Sequence, residues 1–97
     1  MSDPVTVRAF TVTQSRFPAL RDSARKLFHG LPDSAPVVID LAGIEQPSRG
    51  FVDELLAICD SRAPRPELVN LSPAAARMIE VVKACRVNRG GNYLEET

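Results

Sequence analysis

The sequence predicts a small α/β domain with a mostly parallel sheet, its elements running β-α-β-α-β-α. Three observations lead there. Residues 37–41 and 67–71 are short, largely apolar runs bounded by turns, too short for independent helices. Longer stretches with apolar residues at three- and four-residue spacing alternate with them. Strands that alternate with helices of such length imply right-handed crossovers and parallel neighbours.

Each element has its own warrant. Val5, Val7 and Ala9 alternate against Thr6 and Arg8, so a half-buried strand is expected over 5–12, with a bulge or bend where Ala9 adjoins Phe10. A helix is expected over 16–29, where Phe17, Leu20, Ala24, Leu27 and Phe28 fall on one stripe. Ser15 would cap it, Pro18 sits in its first turn, and Gly30 closes it beside Lys26 and His29. The β-branched run 37–41 reads as a strand buried on both faces, as parallel sheets require.

A second helix over 49–60 carries Phe51, Val52, Leu55, Leu56, Ile58 and Cys59 on a broad apolar face. Asp53 and Glu54 are assigned to its first turn, where the positive dipole end favours acids. Residues 61–66, with two prolines and two arginines, form a loop before the strand at 67–71. Ser72-Pro73 then opens a helix over 73–85, Ser as cap and Pro at the first position. Its inward residues are Ala75, Met78, Ile79, Val82 and Cys85. Arg89-Gly90-Gly91-Asn92 is expected to break structure, leaving 93–97 as a short acidic tail. Without repeats or a dividing linker, residues 1–97 read as one domain.

Composition narrows the function classes. Twelve basic side chains balance twelve acidic ones, and binding to nucleic acid needs a clustered basic excess. No stretch approaches the ~20 apolar residues of a membrane span. Residues 1–10 lack the basic start and apolar run of a secretion signal, so a cytoplasmic protein is expected. Cys59 and Cys85 sit in apolar helical patterns and read as buried, reduced thiols. One histidine and two distant cysteines do not supply zinc-ligand spacing, and no pattern implies a cofactor.

In parallel sheets, ligands and partners meet the loops at the carboxyl ends of the strands. Here those loops are Gln14-Ser15, 42–47 and Ser72. No glycine-rich phosphate loop follows the first strand, and Gly90-Gly91 reads as a turn. His29 reads as a cation at a helix end rather than a general base. Asp40 closes the central strand. It suits a turn or helix-cap ligand better than a phosphoryl acceptor, because 12–16 offer no further acids for magnesium. Ser48 follows Pro47 at the start of the second helix. It reads as a cap, a geometry equally able to take a phosphate or a partner contact.

Residues 37–56 form the run Val-Val-Ile-Asp-Leu-Ala-Gly-Ile-Glu-Gln-Pro-Ser-Arg-Gly-Phe-Val-Asp-Glu-Leu-Leu. That run resembles a STAS-like domain of the bacterial anti-sigma factor antagonist type. Leu68-Val69-Asn70-Leu71-Ser72-Pro73, with Met78-Ile79 and Val81-Val82, is similar to the family's second half, so the resemblance spans about 36–85. It implies a non-catalytic regulatory module whose partner is a protein, a switch kinase or anti-sigma factor. In such antagonists a serine at the start of the second helix is phosphorylated by the partner kinase, which releases it. The family carries Asp-Ser-Ser-Gly there, whereas this chain has Pro47-Ser48-Arg49-Gly50 in a loop one residue shorter.

The expectation is therefore a non-enzymatic protein-binding domain acting through 42–56 and neighbouring loops. Ser48, Arg49, Gly50, Asp40 and Phe51 are its candidate partner-binding or phosphorylation residues, with no catalytic and no metal-ligating residue. The alternative is a small-molecule or nucleotide-sensing domain using the same carboxyl-end crevice.

Overall fold

The computed structural model describes residues 3–32 and 34–96, with side chains to Cys85. Among these, three strands and four helices follow in the order β1 (Val5–Arg8), α1 (Ala9–Thr13), α2 (Arg21–Lys26), β2 (Val37–Asp40), α3 (Arg49–Ser61), β3 (Glu67–Val69) and α4 (Pro73–Glu96). The sheet order is β1-β2-β3 and both pairings are parallel. Val7 lies beside Ile39, and Ile39 beside Leu68. The chain is an α/β domain with an all-parallel sheet, as its alternating patterns predict.

α3 lies at the centre, packed between α2 and α4. Phe51, Val52, Leu55, Leu56 and Cys59 of α3 are buried against Ile39, Leu41, Ile44, Ala24, Leu27, Ile79 and Val82. Burying a Leu, Ile, Val or Phe side chain stabilises by about 1.5–3 kcal/mol, so this cluster is the main reason the domain holds together. At the amino end of the sheet, Arg62 donates to the Pro32 carbonyl and stacks over the Phe28 ring.

β2 is not buried on both faces. Val37 and Ile39 are buried, whereas Val38 and Asp40 are half-buried, and their neighbours Thr6, Arg8 and Glu67 are exposed. Two right-handed crossovers that step in one direction across a sheet put their helices on the same face, which leaves the other face open.

Four elements differ from the sequence expectation by more than one residue. β1 ends at Arg8 instead of continuing to residue 12, because its partner β2 ends at the paired Asp40. The change of face at Ala9-Phe10 marks the turn into α1, which closes at Gln14 in a left-handed conformation. The helix expected over 16–29 contracts to Arg21–Lys26. Pro18 disfavours helical backbone at Phe17, and the carbonyls of Arg16, Pro18 and Ala19 are drawn to another loop. Phe17 and Leu20 are consequently 60% and 68% exposed and do not belong to the core.

β3 stops at Val69, since Asn70 turns left-handed (φ 57°), and Leu71 is exposed rather than buried. α4 runs through Gly90-Gly91 to Glu96, so the expected break and most of the expected tail are helical. Each glycine costs a helix about 1 kcal/mol without ending it; Thr97 lies outside the described residues. Because α3 starts at Arg49, Asp53 and Glu54 belong to its second turn, where arginines of α2 hold them.

Candidate interaction site

The 14–20 loop after α1 and the loops after β2 and β3 meet at the carboxyl edge of the sheet. Glu45 and Gln46 donate their backbone N–H groups to the Arg16 carbonyl at 2.8 and 3.1 Å. Ser48 N–H reaches the Pro18 carbonyl at 2.9 Å, and Ser72 Oγ donates to the Glu45 carbonyl at 2.6 Å. The Ser72 hydroxyl also accepts the Ala75 N–H, capping α4. All three loops singled out from the sequence thus join one surface.

Ser48 sits at the junction. Its Oγ accepts the Phe51 N–H at 3.1 Å, which makes it the cap of α3. The same hydroxyl donates to the Ala19 carbonyl at 2.8 Å, tying the 14–20 loop to the start of the helix. Both functions of the hydroxyl are therefore in use. Pro18 and Pro47 are buried beneath this junction, while Phe17 and Leu20 point out from it. Thr13 and Ser15 tighten the loop further, Ser15 Oγ accepting the Phe17 N–H at 3.0 Å.

The other candidate residues separate by exposure. Arg49 is exposed and its Nη2 donates to Cys85 Sγ at 3.0 Å. Cys85 is half-buried rather than buried, and both cysteines are free thiols. Gly50 packs beside Ala19 and Arg21. Phe51 is fully buried and belongs to the core, so its side chain is not on the surface. Asp40 lies on the open face of the sheet, where its Oδ1 accepts the Ala42 N–H at 2.9 Å and Asn70 Nδ2 at 3.0 Å. The Asn70 bond first, then the Ala42 N–H, holds its carboxyl below the usual carboxylate range. That pattern is an Asp-stabilised turn.

Arginines line the rim of the junction. Arg21 pairs with Asp53 at 2.7 Å, Arg25 with Glu54 at 3.1 Å, and Arg16 with Glu45 at 3.6 Å. Phe10, 40% exposed, lies against Gly43, whose φ of 91° favours glycine and where an added Cβ would crowd the Phe10 ring at 3.1 Å. Phe17 and Leu20 have the helical spacing of core residues although both are exposed. The Phe17-Pro18 dipeptide was the sequence signal against a helix there.

Among the described residues, no three His, Cys, Asp or Glu side chains gather as a metal site, and no helix is long and apolar enough to cross a membrane. Comparison of the chain with protein-family models, curated proteins and solved structures gives no match.

Proposed function

We propose that this domain is a non-enzymatic regulatory module that binds a protein partner through the junction of the 14–20 and 42–48 loops with the start of α3. One observation carries the reading: Phe17 and Leu20 stand 60% and 68% exposed on a loop whose backbone is pinned. Ordering a loop costs entropy, and exposing two large apolar side chains on it forgoes burial. A partner that covers them recovers that burial without having to order the loop on contact. In this reading the domain works in the bacterial cytoplasm, like the anti-sigma factor antagonists that residues 36–85 resemble.

Ser48 is the proposed switch. A phosphate on Oγ removes the proton given to Ala19 and sets negative oxygens against that carbonyl. The free N–H groups of the α3 start and Arg49 accommodate the charge, while the loop carrying Phe17 and Leu20 is released. Phosphorylation therefore weakens the partner by disordering the surface it reads.

The test is site-specific photo-crosslinking in the native cell. A crosslinker at Phe17 or Leu20 should capture one protein, and the same group at Ser34, at the other end of the sheet, should not. Ser48→Asp should abolish the adduct and Ser48→Ala weaken it less. Equal capture from Ser34, or full capture with Ser48→Asp, would overturn the site or the switch respectively.

A further inference from the structure

We infer that the partner presents an acidic, apolar peptide segment, its carboxylate entering the cleft between Arg21 and Arg49 while an apolar side chain covers Phe17 and Leu20. This inference rests on the reading of the same surface as a protein-binding site and adds the chemistry of what binds there.

The cleft is lined by Arg21, Arg49, Gly50, Asp53, Val82 and Cys85. It lies beside the stretch that carries Leu20, because the nearest neighbours of Gly50 across the fold are Ala19 and Arg21, which flank Leu20. Its charges are unevenly placed. Asp53 and Glu54 are 26% and 20% exposed, whereas the guanidinium-bearing side chains of Arg21 and Arg25 are 51% and 58% exposed. The acids lie underneath and the cations face water.

Arg49 differs from the rest. Arg16, Arg21 and Arg25 each have a carboxylate partner. Arg49 donates to the Cys85 sulfur, and among the described side chains no carboxylate lies within ion-pair distance of it. A guanidinium has five N–H donors in a planar fork, so Arg49 and the outer edge of Arg21 keep donors for an incoming carboxylate. Arginine beside aromatic and aliphatic anchors is also the composition of interface hot spots.

Among the described side chains lining the cleft, Arg49 is the one cation with no carboxylate at ion-pair distance, which suits a single peptide carboxylate better than a membrane or a nucleic acid. Those surfaces are held by several free cations acting together, and here three of the four arginines are already neutralised locally.

The experiment selects binders to the full chain from a displayed library of random linear peptides, with counter-selection against a Phe17→Ala/Leu20→Ala variant. Binders that need the apolar pair should carry Asp or Glu close to an apolar residue. Arg49→Ala should weaken them about tenfold, corresponding to about 1.4 kcal/mol, and Arg49→Glu more. In the Arg49→Ala background, replacing the peptide's acid by Ala should cost little, the signature of direct pairing. Arg49 is exposed, so its variants should keep the fold, which circular dichroism of each one checks.

Binders that depend on Phe17 and Leu20 yet carry no acid, or ignore Arg49→Ala, would overturn the acidic partner while leaving the binding surface standing. Failure to find any binder that depends on Phe17 or Leu20 would overturn both. Adsorption to phosphatidylserine vesicles that is lost in the double variant would overturn the peptide in favour of a membrane.

Discussion

Ser48 and Ala19 are 29 residues apart in sequence, and a 2.8 Å hydrogen bond joins the hydroxyl of one to the carbonyl of the other. The same oxygen accepts the Phe51 N–H, so a helix cap and a loop anchor share one atom. Local stability of α3 and the order of the 14–20 loop are thereby linked. Any change that alters the hydroxyl must alter both, in proportions that depend on whether it removes the donor, the acceptor or both.

Ser48→Ala removes both and should destabilise by about 2 kcal/mol, about 1 for the cap and about 1 for the tertiary bond. Ser48→Asp keeps an acceptor for Phe51 N–H but gives the Ala19 carbonyl a repelling carboxylate, so its stability loss should be smaller. In both variants the amides of Glu45, Gln46 and Ser48, which donate to the 16–18 backbone, should exchange faster with solvent. Unchanged exchange of those amides in Ser48→Asp would show that the loop is anchored without the hydroxyl.

Leu55→Ala should cost about 2–4 kcal/mol, the usual range for truncating a buried leucine. Leu55 is 1% exposed at the middle of α3, between α2 and α4. Leu20→Ala should change stability by less than about 0.5 kcal/mol, since Leu20 is 68% exposed. Urea unfolding of the two variants side by side checks the contrast. Similar losses from both would mean that Leu20 packs into the core after all.

The parts of this fold that were legible were those where local and tertiary preferences agree. β2, α3 and the start of α4 combine strong periodicity with caps that the structure uses, Ser48 and Ser72 among them. The 14–20 segment is not legible in the sequence because Phe17 and Leu20 have helical spacing, and spacing alone cannot tell a core stripe from an exposed pair. What decides there is nonlocal: the Arg16, Pro18 and Ala19 carbonyls bond to residues 45–48 instead of to a helix. Phe51 is both a member of the apolar face of α3 and a candidate partner-binding residue by sequence; it is fully buried, in keeping with the apolar face. Gly90-Gly91 misled in the opposite way, a locally weak helix pair carried within a long one.

Gly43→Ala should destabilise by about 1–2 kcal/mol through its backbone alone, since left-handed backbone is strained for any residue with a Cβ. Gly43 has φ 91°, and an added Cβ would lie 3.1 Å from the Phe10 ring. Phe10 is 40% exposed and able to move, so the steric part should be relieved in a Phe10→Ala background while the backbone part persists. Thermal unfolding of both singles and the double separates the two. A double variant as stable as Phe10→Ala alone would remove the backbone argument.

The acid limb of the stability curve should carry a contribution from Asp40. Its carboxyl is held below the usual range chiefly by the Asn70 side chain and next by the Ala42 N–H. A folded-state pKa lower than the unfolded one means that the folded state favours the charged form. The resulting stability is complete above the unfolded carboxylate pKa of about 3.9 and is lost as pH falls through the lowered folded value. Asn70→Gly removes the side-chain donor without adding backbone strain, because glycine accepts the left-handed conformation that Asn70 adopts at φ 57°. In that variant the Asp40 carboxyl, followed by NMR titration, should move up toward its ordinary value. Its stability deficit relative to wild type should shrink as pH falls into the acid limb, on top of a pH-independent offset from the glycine. Asp40→Asn should flatten the limb in both backgrounds. An Asp40 titration unmoved by Asn70→Gly would assign the depression to the Ala42 N–H and to nearby Arg8 instead.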